Sequence, residues 1–312
     1  MSGKSIAIRL GQMVIVLIGI SFLTFALTYL APGDPVRVMF SASGVMPTEE
    51  VLNEIRADMG LDQPLIVQYF TWLGNCLHGD FGTSYSQHAP VVDLLLSRLW
   101  PTIKLALLAL AIMLVVSVPL GIIAATHQNK PIDYFIRAIT FFGVSVPGFW
   151  IGLILILVFC VTLKIFPVVS SGGDFMSLVL PACTLAFAMT AKYTRQVRTA
   201  VLEELHQDYV IGARARGVSE RKILWRNVLP NSMLPLITLL GLSMGSLLGG
   251  TAVVEVIFSY PGLGNLAVNA ITAYDYPLIQ GYVLWVALIY MVINLVVDLS
   301  YNYIDPRIRL KR

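Results

Sequence analysis

The residues of this chain best placed to do chemistry are charged and close together. Between Lys192 and Arg226 stand eight Lys/Arg and four Asp/Glu, although charged residues make up only 12% of the 312-residue sequence. The chemistry open to such a cluster is ion pairing and docking. Bond making has no support: the four histidines, His78, His88, His127 and His206, are scattered, and no His-Glu-x-x-His, paired-Asp or Ser-His arrangement occurs. Cys76, Cys160 and Cys183 lack metal or redox spacing, and two of them lie in apolar runs, so they read as packing residues. No Gly-x-x-x-x-Gly-Lys-Ser/Thr loop is present to cradle nucleotide phosphates. The expectation is a non-enzyme that binds no metal and no cofactor of its own.

Within the charged segment, residues 199–217 are helix-compatible, with Val201, Leu205, Tyr209 and Ala213 at spacings of four forming one apolar stripe. Glu203, Glu204, Asp208, Arg214 and Arg216 project around that stripe. Gly217 is expected to stop the helix by adopting positive φ. A second short helix over 219–229 is expected to end at Pro230, which with Pro235 marks a return to apolar sequence. Basic residues alone would suit a topogenic loop. The order helix, Gly, helix, Leu229-Pro230 suits a surface that something soluble reads.

The elements that must hold this segment are apolar. With 57% hydrophobic residues and a mean hydropathy of +0.77, the chain falls in the integral membrane class. Six apolar intervals free of Lys, Arg, Asp and Glu, at 10–33, 105–129, 138–163, 175–191, 227–254 and 276–297, are candidate spans. A helix needs about 20 residues to cross about 30 Å of hydrocarbon, so the interval from 175 must borrow flanking residues. Unpaired backbone groups are not tolerated in lipid, and period-2 alternation is missing, so the spans are helices and the fold all-α. Lys4, Arg9, Lys130, Arg137, the basic residues after the fourth span and Arg307, Arg309, Lys311 and Arg312 belong on one side, the cytoplasm, with both termini. The net charge of +3 gives no reason to expect nucleic acid. The first apolar run exceeds the roughly 7 to 15 residues of a signal-peptide core and no Ala-x-Ala site follows, so it is expected to be retained.

Residues 32–99 between the first two spans are too long for a turn and read as a small helical extracytoplasmic subdomain. Thr48 is expected to cap a helix with Glu49 and Glu50 in its first turn, ended by Gly60. A second helix covers residues 64–77, broken after by Gly79 and Gly82, and an amphipathic piece over 91–99 leads through Pro101 into the second span. The subdomain could cap the spans or dock a soluble partner. Pro119 with Gly121, Pro147 with Gly148, and Pro181 are helix breakers inside spans, compatible with ordinary packing or with a water-filled path. Small residues over 241–250 allow close helix approach. Lys104, Lys192, Glu255 and Asp298 lie near span ends, where charge avoids the cost of about 2.5–3.5 kcal/mol at a helix centre. A proton relay would need midplane acids, which argues against a proton-driven carrier; a scaffold is the third class.

The chain resembles the permease subunits of ABC importers in their peptide and nickel branch, over nearly its whole length. The family's loop pattern is Glu-Ala-Ala-x-x-x-Gly followed by Ile-x-Leu-Pro; Ala213, Gly217, Leu229 and Pro230 match it, while Ile211, Gly212 and Asn227 replace the Glu, the first Ala and the Ile. Pro32-Gly33-Asp34-Pro35, Leu61-Asp62-Gln63-Pro64, Gly79-Asp80-Phe81-Gly82, Ser145-Val146-Pro147-Gly148-Phe149-Trp150, Glu255-Val-Ile-Phe-Ser-Tyr-Pro261-Gly262, Asp275-Tyr-Pro277 and Asp305-Pro-Arg-Ile-Arg309 extend it. The resemblance implies a type I importer permease of six transmembrane helices, the first of two permeases. Its organisation would be residues 1–31 as N-terminus and first span, 32–99 outside, 100–304 as permease core with the coupling loop 200–230, and 305–312 as tail. It implies a second homologous permease, two ATPases that carry ATP and Mg, an extracytoplasmic solute-binding protein and a lipid bilayer, in a bacterial or archaeal inner membrane. ATPase-coupling residues would be Glu203, Glu204, Asp208, Tyr209, Ala213, Arg214, Arg216, Gly217, Leu229 and Pro230. Gate or pathway residues would be Pro147, Phe149, Trp150 and Glu255. Peptide and nickel or metal-chelate cargo both remain open.

Overall fold

The computed structural model of the chain describes residues 3–31, 34–41, 46–167 and 174–304. Pro32, Gly33, the stretch from Asp305 to Arg309 and the tail 305–312 lie outside the described residues, as do the side chains of Pro235 and Asp298. Every described element is helical: α1 Gly3–Leu30, α2 Pro35–Ser41, α3 Glu49–Asp58, α4 Leu65–Leu77, α5 Val91–Thr126, α6 Pro131–Ser145, α7 Gly148–Leu155, α8 Phe175–Leu205, α9 Asp208–Ala215, α10 Glu220–Ile223, α11 Leu229–Gly250, α12 Ala252–Ile257, α13 Leu263–Thr272 and α14 Tyr276–Ile304. Two π-helical segments, Ile156–Thr162 and Leu224–Val228, continue α7 and α10.

Among the described residues, four helices are long and apolar enough to cross a membrane, at Ala7–Leu30, Val91–Thr126, Phe175–Leu205 and Tyr276–Val297. The third expected span is a bent pair, Pro131–Ser145 and Gly148–Thr162, meeting at 96°. Pro147 is the cause. Its ring forces Val146 out of the helical region to φ −87°, ψ 130°, so α6 stops there and α7 restarts behind the proline. The fifth expected interval is α11, 22 residues long. The short interval from 175 does borrow, becoming the first half of the 31-residue α8.

Other expectations are corrected. The piece over 91–99 does lead through Pro101 into the second span, but α5 is not broken inside it: the helix runs 36 residues through Pro101, Pro119 and Gly121. Gly121 is therefore not a breaker but a contact, since a Cβ there would lie 2.5 Å from Val197 Cβ. Thr48 stands at the cap position of α3 without a side-chain cap hydrogen bond. Gly60, Gly79 and Gly82 do take positive φ, of 68°, 86° and 82°. The charge-free stretch 256–274 holds a helix not expected from sequence, α13, whose ten residues extend about 15 Å, too short to span.

The chain divides into two compact units, Met1–Thr102 with Pro261–Val292, and Ile103–Tyr260 with Ile293–Arg312. In the first, α4 lies along α1, where Tyr69 Oη and Ser21 Oγ share a 2.9 Å hydrogen bond and Phe22 and Phe25 meet the Tyr69 ring edge-on. A core of Val91, Leu95, Leu263, Leu266, Ala270 and Leu278 joins the start of α5 to α13 and α14. Buried Asp275 pins the loop before α5, accepting from Ser84 Oγ at 2.6 Å, Ser86 N at 2.9 Å and Ser86 Oγ at 2.7 Å. Burial, with Asp275 and Tyr276 beside it, pushes the neighbouring Tyr85 phenol up to about 12.

In the second unit, one apolar cluster gathers Leu105, Ala109, Cys160, Leu180, Val254, Phe258 and Tyr260. The buried carboxylate of Asp133 on α6 takes a bidentate pair from Arg198 on α8, Nε to Oδ1 at 2.7 Å and Nη2 to Oδ2 at 2.8 Å. Close approach is bought by small residues: Cβ atoms at Gly143 and Gly241 would lie 2.9 Å from Ala191 Cβ and 2.0 Å from Val297 Cγ2.

Candidate functional site

The charged segment is a folded unit on the ends of three long helices. α8 ends at Leu205, His206 and Gln207 break the chain, and α9 starts at Asp208. The break overturns the expected single helix over 199–217. It also resets the helical phase: Val201 and Ala213 are buried and Leu205 packs half-buried against the same core, but Val210 takes the inward place expected for Tyr209. Tyr209 turns outward, 38% exposed, and donates its hydroxyl to Glu204 Oε2 at 2.5 Å across the break.

Gly217 ends α9 as expected, at φ 78°. Its N–H reaches Arg214 O at 2.9 Å and the Val218 N–H reaches Ala213 O at 3.1 Å, the paired bonds of a Schellman turn. Arg214 then closes the corner by a bidentate pair to Glu220, at 2.7 and 3.1 Å. The guanidinium holds the Glu220 carboxyl below its ordinary value. Pro230 does not end the second helix: α10, the π segment and α11 run on through it, with Pro230 in the first turn of α11 where its missing N–H costs nothing.

Beneath this surface, Val210, Ala213 and Ile223 enter one core with Ala125 of α5, Val197 and Val201 of α8, and Leu229 and Leu236 of α11. Full burial of Val210 and Ile223 alone is worth about 3–6 kcal/mol. Glu203, Asp208, Arg214, Arg216 and Gly217 face solvent, Glu204 is half-buried, and Leu229 is buried. Not every charge of the segment is free for a partner, because Arg198 is taken by Asp133 and Arg214 by Glu220. Sequence reasoning missed Ile211, an apolar residue 56% exposed on the outer face of α9, and the Asp133–Arg198 pair. The lone acid between Lys130 and Arg137 was the available signal for that pair.

The expected pathway residues are not gathered at one point. Pro147 makes the bend, and Phe149 and Trp150 on α7 are about half exposed, at 48% and 49%. Glu255 on α12 is fully buried and accepts from Thr251 Oγ1 at 2.8 Å. Gly152 carries α7 against that region, its Cβ position 3.3 Å from Phe258 Cε2 and Thr184 Cγ2.

Comparison with known proteins accounts for this arrangement of bent spans and a helical loop. Residues 117–310 match the model of the binding-protein-dependent transport system inner membrane component, and residues 4–106 match the N-terminal model of the same class of membrane component. The chain belongs to this family. This transport component is 40% identical over 305 residues to the oligopeptide transport system permease protein AppB of Bacillus subtilis, covering 94% of this chain and 95% of that one. It is 38% identical over 292 residues to the glutathione transport system permease protein GsiC of Escherichia coli, covering 94% of each. A solved structure of the MetNI methionine ABC transporter in an inward-facing conformation contains a chain of the same fold, with TM-score 0.59 and 16% identity over 68% of this chain and 96% of that one. The type I permease fold is thus shown, and the protein is a multi-pass inner-membrane component of an importer that works with a binding protein and an ATPase.

Proposed function

We propose that the chain is the first of two permease subunits of a peptide importer, forming half of the path and driven by two ATPases that bind ATP and Mg. The observation that carries the coupling role is the two-sided α9. One face is locked into a core shared by α5, α8 and α11, while Asp208, Tyr209, Ile211 and Arg216 face outward. A groove on an ATPase that grips the outer face therefore moves three spans together, and the segment over 204–217 with Leu229 and Pro230 acts as a lever. Transport follows if ATP binds one of two rigid-body states better than the other.

In this reading the termini and the loop 200–230 face the cytoplasm, residues 32–99 stand outside to meet the binding protein, and Pro147, Phe149, Trp150 and Glu255 belong to the gate. Di- and oligopeptides are the proposed cargo, because relatives matched over nearly their full length are named for oligopeptides and for glutathione. Those names lend nothing to nickel or a metal chelate. Mass spectrometry with elemental analysis of the ligand carried by the partner binding protein tests the cargo: a metal-free peptide supports it, and a stoichiometric metal overturns it.

A further inference from the structure

We propose that the segment 219–233 binds an anionic glycerophospholipid from the leaflet on its own side of the membrane. Two adjoining grooves carry the inference. The first, about 380 Å³, is lined by Ser219, Arg221, Lys222, Trp225 and Arg226. The second, about 540 Å³, is lined only by apolar residues, among them Pro119, Ile122 and Ile123 of α5 and Leu229 and Met233 of α11.

Trp225 lines both grooves and is 62% exposed. An indole left open between a charged and an apolar surface suits the headgroup level of a bilayer, where tryptophan concentrates. The cations are available. The adjacent acid, Glu220, is engaged by Arg214, and among the described residues Arg221, Lys222 and Arg226 have no acidic partner. Lys222 and Arg226 are four residues apart, as are Arg221 and Trp225, so the basic and aromatic groups share one side of the segment.

The ligand must carry negative charge and an apolar tail at once. The cations alone would suit a soluble partner, but the second groove is apolar throughout and its α5 wall belongs to the apolar helix Val91–Thr126, so an acyl chain suits it better. A phospholipid fits both, its phosphate on Arg221, Lys222 and Arg226 and one acyl chain against Pro119, Ile122 and Met233. Basic pockets at the ends of membrane helices hold anionic headgroups in this way.

The test uses the full-length chain in nanodiscs containing phosphatidylglycerol or phosphatidylcholine that bears a photoreactive acyl chain, with labelled residues mapped by mass spectrometry. The expected result is labelling of residues 118–123 and 225–233 by phosphatidylglycerol about tenfold above phosphatidylcholine. In the triple variant Arg221→Gln, Lys222→Gln, Arg226→Gln that tenfold excess should vanish, while labelling of α1 stays unchanged as the control for folding. Equal labelling by the two lipids in the unmodified chain overturns the proposal without needing any variant. So does persistence of the excess in the triple variant. Loss of the label when the second permease or the ATPases are bound would assign the grooves to a protein interface and overturn it too.

Discussion

At the residue scale, one glycine and two ion pairs bear on coupling and stability. Gly217 holds φ 78° with nothing within 4 Å of a built Cβ, so Gly217→Val meets backbone strain without a clash. The variant should leave the spans assembled while misplacing the turn that fixes α9. Asp133 is enclosed and its partner Arg198 is 18% exposed. Asp133→Ala should therefore destabilise the chain by about 3 kcal/mol, read as a lower thermal midpoint in detergent, with Asp133→Asn losing less. Arg214 keeps the Glu220 carboxyl depressed, so this pair contributes above the ordinary glutamate value of 4.5 and is lost as pH falls below it. Both side chains are substantially exposed, at 44% and 66%, and the contribution is at most about 1 kcal/mol. A melting difference between the native chain and Glu220→Gln should be present at neutral pH and close on acidification through the glutamate range. The positive φ of Gly217 was legible in sequence, because a glycine closing a helix-compatible run is free to stop the helix in that conformation. The ion pairs were not, since the partners of Asp133 and Arg214 lie 65 and six residues away and depend on the fold.

At the element scale, intervals free of charge located the long helices because hydrocarbon imposes a length that soluble folds lack. Their internal shape was less legible. Pro119 and Pro147 are both proline within apolar sequence, yet α5 continues unbroken through Pro119 while Val146-Pro147 turns the chain by 96°. Neighbouring packing decides which outcome holds, and that information is long-range. The same limit hid the phase of α9, since a two-residue break at His206 and Gln207 sufficed to turn Tyr209 out and Val210 in. Contacts between helices give a prediction here. Gly121→Ala places a Cβ 2.5 Å from Val197 Cβ and should cost about 1–3 kcal/mol as α5 and α8 shift. Gly11→Ala, with nothing within 4 Å, should be neutral or slightly stabilising. Thermal unfolding of the two variants side by side checks the contrast.

At the scale of the whole molecule, the account joins a membrane-spanning permease fold to a lever on its surface. The apolar core under α9 ties the ends of α5, α8 and α11 together, so force applied at the loop has a rigid route into the spans. The family was legible from ordered motifs along the sequence, whereas the side chains that carry the lever had to be read from the fold. Reconstitution of the complete importer in proteoliposomes, with Gly217→Val in this chain, tests the central claim most directly. ATP hydrolysis and solute uptake are measured on the same vesicles. The account predicts an assembled complex that still hydrolyses ATP while uptake falls at least about tenfold. Uptake at the native rate per ATP would contradict it.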